Sequence, residues 1–275
     1  MDSAAKNATT DFYVGLGGTQ FVEASFADSP LIHCTTRRYR HFLEGQFPKA
    51  GGSLLDFGCG DGRLSLWAVE KGFSLVISAD SNVASLKRLA AESRRRGLSN
   101  LLIICCDLAK PPVANDFFDA ILCFEVLYYF VLSLGRLPTL NVPLSLLKPG
   151  GLLVLSEMCR YGRTLVDLVA MDVNNFRSLA EAGTRWEKSD QGRLEVFQWS
   201  PADLKEDCRS IGLQIVAESG VSPIAGLFDF AWKFTSYPLR PTLDPRLQEI
   251  IEALDDQTSE SCNLARNILL ALKKP

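Results

Sequence analysis

The stretch Leu54-Leu55-Asp56-Phe57-Gly58-Cys59-Gly60-Asp61-Gly62-Arg63 decides the reading of this chain: an apolar run ends in an acid and then in three glycines at every second position. Ser53 to Phe57 predicts a short buried strand, and Arg63 to Lys71, with Leu64, Leu66, Trp67 and Ala68, predicts a helix packed back on it. A glycine-rich strand-to-helix turn results. Glycine is needed there because the backbone must take positive φ and let a ligand come closer than a Cβ would allow, while the free N–H groups of the helix start face that ligand.

Spacing decides among the cofactors that such turns bind. The dinucleotide fingerprint G-x-G-x-x-G would place its third glycine at position 63, where this chain has Arg63, so NAD is disfavoured. No Gly-Lys-Ser/Thr follows, so no lysine can reach a phosphate as in a P-loop. Further along, β and α patterns alternate. Strands are predicted at Leu75 to Ala79, Leu101 to Cys105, Phe118 to Phe124 and Leu152 to Ser156. Helices are predicted at Val83 to Arg95 and Leu137 to Leu147, the latter closed by Lys148-Pro149-Gly150-Gly151. This rhythm implies an α/β fold, a parallel sheet with helices on both faces and ligands at the carboxyl ends of the strands.

Two aspartates then gain meaning. Asp80 ends the second strand 22 positions past Gly58, near the offset at which an acid accepts both hydroxyls of a ribose; Asp80-Ser81-Asn82 would equally cap the next helix. Asp107, after the third strand, would accept from an adenine amino group while the Leu108 N–H donates to the ring; the alternative is a turn aspartate before Pro111-Pro112.

The order D-x-G-x-G-x-G, Asp80, Asp107, the run Asp119 to Glu125 and Leu147-Lys148-Pro149-Gly150-Gly151 resembles class I S-adenosylmethionine (SAM)-dependent methyltransferases, and is similar to the small-molecule branch that includes the ubiquinone-biosynthesis methyltransferases. The resemblance covers most of residues 52–157 and implies a Rossmann-like, mostly parallel seven-stranded sheet with SAM as methyl donor. It implies that Gly58 and Gly60 approach the methionine part, Asp56 steadies its amino end, Ser81 stands with Asp80 in the cofactor site, Phe124 flanks the adenosine, and Arg38 reaches the carboxylate, with Arg37 and Arg40 as competitors. Where that branch often carries Glu-His, this chain has Tyr128-Tyr129. A phenol or alcohol acceptor would therefore take its base from His33, His41, Glu157, Tyr128 or Tyr129. A neutral amine would need little beyond an aligned, dry pocket.

Composition sets the remaining bounds. The 275 residues, 47% hydrophobic and 22% charged, can bury a full core, expected as a single domain. In that division residues 1–50 are an N-terminal lid and helix, 52–157 the SAM-binding core, and 158–199 and 221–263 substrate-side insertions. A net charge of −3 gives no general pull on polyanions, against a nucleic-acid partner that relies on bulk charge. Arg94-Arg95-Arg96 ends a helix before Gly97, where positive charge complements the helix dipole. Eight cysteines without C-x-x-C pairs, and only two histidines, imply a reduced cytoplasmic chain without a metal site. The longest apolar stretch, Ala120 to Leu134, is interrupted by Glu125 and too short to span a bilayer.

A helix is expected at Leu31 to Phe47 after a loop or lid at Phe12 to Ser29, another at Thr164 to Ala182, and two strands around Asp190-Gln191-Gly192. Ser200-Pro201 starts a helix to Ile211 before a strand at Leu213 to Ala217; Asp244-Pro245 opens a helix through Leu254, and Leu264 to Leu272 is a last strand. Phe228, Phe230, Trp232, Phe234 and Tyr237 alternate in a way that suits an aromatic wall for an apolar or ring-bearing acceptor, or packing against the sheet. Two rival readings use the same pocket: an aminopropyl transferase, which would need a further acidic pair beside its acceptor, and a non-catalytic SAM-binding subunit.

Overall fold

The computed structural model describes residues 30–169, 172–189, 192–221 and 265–275, with helical positions at Arg246, Glu249, Ile250, Ala253 and Leu254. The expected lid at Phe12 to Ser29 and the aromatic run at Pro223 to Thr242 lie outside the described residues, as does most of the helix expected from Asp244.

Five strands run first: β1 (Ser53–Phe57), β2 (Leu75–Asp80), β3 (Leu101–Cys105), β4 (Phe118–Phe124) and β5 (Leu147–Met158). Helices α1 (Pro30–Gln46), α2 (Arg63–Lys71) and α3 (Val83–Arg96) precede or join β1 to β3. Between β4 and β5 come a 3-10 turn (Leu127–Tyr129), α4 (Val131–Leu134) and α5 (Arg136–Leu146). Then follow α6 (Arg160–Val169), α7 (Val173–Ala182), the strand pair β6 (Thr184–Ser189) and β7 (Gly192–Phe197), α8 (Pro201–Ser210), β8 (Gln214–Val221) and β9 (Asn267–Lys273).

The main sheet has seven strands in the order β3-β2-β1-β4-β5-β9-β8, parallel except that β9 runs antiparallel to both neighbours. Each of the first strands is an apolar run because both of its faces are covered. Tyr39 and Leu43 of α1, Phe47 just after it, Trp67 of α2 and Leu89 of α3 fill one face against Leu54, Val76, Leu122 and Val154. Leu140 and Leu144 of α5 and Leu204 and Cys208 of α8 fill the other against Leu55, Ile121, Leu153, Leu155 and Leu270. The order reverses between β1 and β4, which opens a crevice beyond their carboxyl ends.

Two expected elements change form. The single helix from Thr164 to Ala182 is two helices, because Asp172 starts a new one: its side chain accepts the Asn175 N–H. Lys148-Pro149-Gly150-Gly151 lies within β5, not in a loop after the helix; Leu147 already pairs with Phe118, and the register shifts before Ala120 meets Leu152. The C-terminal segment holds this irregularity, since Gly150 N–H donates to Lys274 O and Lys274 N–H to Gly151 O. Helices α6 and α7 and the hairpin β6–β7 lie in sequence between β5 and α8. The basic triplet at Arg94 to Arg96 is indeed the last turn of α3, closed by Gly97 in the left-handed conformation.

Candidate functional site

The turn after β1 is held by β2. Gly58 and Cys59 N–H both donate to Ala79 O, at 2.8 and 3.1 Å, and Gly60 N–H donates to Asp80 Oδ2 at 2.8 Å. The other oxygen of Asp80 accepts the Asn82 N–H at 2.8 Å. Asn82, not Asp80, caps α3, accepting from Ala84 and Ser85 N–H. Asp80 therefore fastens the glycine turn and the start of the next connection, and Ser81 stands between these two contacts. Burial raises the Asp80 pKa above the ordinary aspartate value.

The three glycines differ in what they permit. All have positive φ, 80° at Gly58, 52° at Gly60 and 81° at Gly62. A Cβ on Gly58 would stand 2.2 Å from Val126 Cγ2, and one on Gly62 2.2 Å from Leu89 Cδ1, so these two let the loop after β4 and helix α3 close on the turn. Among the described residues, and apart from its own chain neighbours, no heavy atom lies within 4 Å of a Cβ on Gly60. Gly60 thus presents bare backbone to the crevice, which fits the close approach of a nucleoside-bearing ligand.

Asp56 is buried under the turn. Ser65 Oγ of α2 donates to Asp56 Oδ2 at 2.6 Å, and Ser78 Oγ donates on to Ser65 Oγ. Burial, opposed by the Ser65 bonds, pushes the Asp56 carboxyl up to about 6. Asp107 follows β3 and accepts the Ala109 N–H at 3.0 Å, shaping the turn; the Leu108 side chain is buried in the core behind it. Phe124 ends β4 half-buried, edge-on to Tyr39 with centroids 4.7 Å apart. Arg38 lies toward the far side of the sheet, donating from Nε and Nη2 to Ser219 Oγ of β8 at 3.2 and 2.9 Å. The arginine at the glycine turn is Arg63, which donates to Thr36 Oγ1 and sits 5.8 Å over the Tyr39 ring.

Of the proposed proton acceptors, Glu157 is fully buried and its two oxygens accept the N–H groups of Leu127 and Tyr128, at 2.9 and 3.2 Å. Burial raises it to about 8 against those bonds. Tyr128 is buried and donates to Tyr129 Oη at 2.7 Å. Both residues shape the turn that follows β4. His33 lies on α1, but its side chain is outside the described part. His41 is exposed on α1.

In the sequence Glu125 ends the Asp119 to Glu125 run that carries the resemblance and interrupts an apolar stretch, with no role of its own attached. It is one of two non-glycine residues with positive φ among the described residues, at 59°; the other, Asp116 at 50°, is a turn aspartate, a type that tolerates this region. Its N–H donates to Ser156 O at 2.7 Å, and Tyr39 Oη donates to its Oε1 at 3.0 Å. An acid directly after a strand that borders the glycine turn was the available signal. Among the described residues no group of three His, Cys, Asp or Glu is placed to hold a metal ion, and no helix is long and apolar enough to cross a membrane.

Residues 31–218 match the methyltransferase domain family, so the chain belongs to it. The domain is of the class I, SAM-dependent kind, and the methyl donor of the family is SAM. The branch likeness to ubiquinone-biosynthesis enzymes is not specifically supported. (S)-Coclaurine N-methyltransferase of Thalictrum flavum subsp. glaucum is 37% identical over 79 residues, 28% of this chain and 22% of that protein. Methyltransferase GfsG of Streptomyces halstedii is 27% identical over 154 residues, 56% of this chain and 54% of that one. A ribosomal protein L11 methyltransferase of Alteromonas mediterranea (strain DSM 17117 / CIP 110805 / LMG 28347 / Deep ecotype) is 31% identical over 124 residues, 45% and 39% of the two chains. The chain spans about a fifth to a half of the length of these relatives. Geranyl diphosphate C-methyltransferase from Streptomyces coelicolor A3(2) shares the fold, with a TM-score of 0.59 over 89% of this chain and 81% of that one at 15% identity.

Proposed function

We propose that the chain transfers the methyl group of SAM to a small-molecule acceptor in the crevice beyond β1 and β4. The observation that carries this reading is the glycine turn itself: Gly60 is bare toward the crevice, and its N–H is held by the Asp80 carboxylate at the end of β2. When bound, SAM supplies an electrophilic methyl carbon on a sulfonium. Gly58 and Gly60 lie along its amino acid part, with Asp56 beneath them. Asp80 and Ser81 take the ribose, Asp80 ending β2 beside the glycine turn that it fastens. Asp107 and Leu108 take the adenine edge, and Phe124 packs beside it. The protein orients the two reactants for in-line attack and excludes water.

We read α6, α7, β6 and β7, which follow directly from the carboxyl end of β5, as the acceptor side of the crevice, and this favours a small acceptor. The relatives act on acceptors of more than one kind, an N-methyltransferase and a ribosomal protein methyltransferase among them. The test is calorimetric titration with SAM, followed by mass analysis of a metabolite pool incubated with protein and methyl-labelled SAM. A labelled small molecule is the expected product. Label appearing in ribosomal protein, with none in the pool, would overturn the acceptor class.

A further inference from the structure

We infer that Glu125 is the catalytic base of this site, taking up the proton that a protic acceptor, an O–H or N–H group, sheds as it is methylated. The inference rests on the methyltransferase reading above.

Placement is the first ground. Phe57 pairs with Cys123, so the residues that follow β1 and β4 leave the sheet side by side. Val126 packs into the space that Gly58 leaves by having no Cβ. Arg63, at the start of the helix after the glycine turn, covers the ring of Tyr39, whose hydroxyl holds Glu125. The carboxylate thus stands between α1 and the glycine turn, at the point where the strand order reverses.

Strain is the second ground. A glutamate in the left-handed region costs about 1–2 kcal/mol, and such positions persist where the surroundings impose them. Two contacts impose it here: the 2.7 Å bond from the Glu125 N–H to Ser156 O and the Tyr39 bond to Oε1. Tyr39 is itself fixed from its other side by Ser156 Oγ at 3.0 Å. Burial and the Glu125 charge hold the phenol well above its ordinary range, so Tyr39 stays a donor.

Division of labour is the third ground. Oε1 is engaged by Tyr39, whereas Oε2 has no partner among the described residues and Glu125 is only half-buried. Glu157, the other acid nearby, has both oxygens turned to backbone N–H groups. Charged and titratable neighbours of the pair are Arg63 on α2, Arg266 before β9 and Glu157 on β5. As the O–C or N–C bond forms, the acceptor's proton passes to Glu125 Oε2, and the breaking C–S bond leaves its electron pair on sulfur. Solvent then takes the proton from the half-exposed carboxyl. Tyr39 is a positioning residue, acting through Glu125.

The test uses wild type, Glu125→Gln, Glu125→Asp and Tyr39→Phe, with S-adenosylhomocysteine release read against a pool of small aromatic phenols, alcohols and amines. Glu125→Gln keeps the shape and should lower kcat by about 10²–10⁴-fold, with KM and SAM affinity changed less than threefold. Its residual rate should climb with pH as the acceptor ionises unaided. Glu125→Asp should recover part of the rate. Tyr39→Phe should lower kcat less and shift the acid limb of the kcat profile to higher pH, because the ionised carboxylate loses a donor. Unchanged kcat in Glu125→Gln, equal loss of SAM binding in that variant, or an unshifted limb in Tyr39→Phe would each overturn the assignment. So would wild type that binds SAM but releases no product from this pool. Failure of wild type to bind SAM would instead overturn the methyltransferase reading.

Discussion

Replacing Gly58 and Gly60 separately by alanine should split folding from ligand binding, although the two lie two residues apart. Both backbones sit at positive φ, so each alanine incurs about 1–2 kcal/mol of left-handed strain, offset by roughly 0.4–1 kcal/mol through a stiffer unfolded chain. At Gly60 nothing else is added, since no non-neighbouring atom of the described residues stands within 4 Å of the new Cβ, and the net loss is on the order of 1 kcal/mol. At Gly58 the new methyl meets Val126 Cγ2 at 2.2 Å, and Val126 is β-branched and cannot simply turn aside. Overpacking of this kind adds about 1–3 kcal/mol. At about 2–4 °C per kcal/mol, Gly60→Ala should melt within a few degrees of wild type and Gly58→Ala roughly 5–15 °C lower. The order reverses for the ligand: the Gly60 methyl fills the crevice that SAM must enter, so Gly60→Ala should lose at least about tenfold in affinity, or about 1.4 kcal/mol. Ligand-free thermal melts and calorimetric titration at a temperature where both variants are folded measure the two effects. Wild-type SAM affinity in Gly60→Ala, or equal melting of the two variants, would refute this assignment of roles.

Asp80→Ala should weaken SAM binding and also lower the melting temperature, because it removes two charge-assisted bonds worth about 1.5–3 kcal/mol each, to Gly60 and Asn82 N–H. Asp80→Asn, which keeps one good acceptor, should fall between wild type and alanine on both measures. The pH dependence of stability has a stated sign at Glu157: burial raises its pKa from 4.5 to about 8, so the folded state holds the proton more tightly. That contribution is whole below pH 4.5 and is lost as pH rises to about 8; melts across this range should fall with pH, and Glu157→Gln should flatten the slope. In the insertion, Arg185 grips Asp167 from Nε and Nη2. Asp167→Asn should speed hydrogen exchange in β6 and β7 while leaving SAM affinity as in wild type; unchanged exchange would show that the pair does not hold the hairpin.

The alternation of apolar strands and amphipathic helices, and the glycines at 58, 60 and 62, were legible in the sequence because they follow from local rules: burial on both faces and positive φ. Asp80 was legible for the same reason, as an acid at a set offset along one crossover. The sequence did not distinguish the three glycines, since what a Cβ would strike depends on Val126 and Leu89, which come from other parts of the chain. Nor did it separate the two glutamates. Glu157 looked available because it follows the fifth strand, yet the chain crosses back above it and turns two N–H groups onto its carboxylate. Glu125 reads in the sequence as the end of the Asp119 to Glu125 run and a break in an apolar stretch, and only the packing of α1 across the sheet brings Tyr39 to it. Lys148 to Gly151 read as a helix stop until the C-terminal segment, more than 100 residues later, tied that stretch into β5. Local chemistry chose the elements and their order; contacts between residues distant in the chain chose which polar groups hold the fold together and which face the crevice.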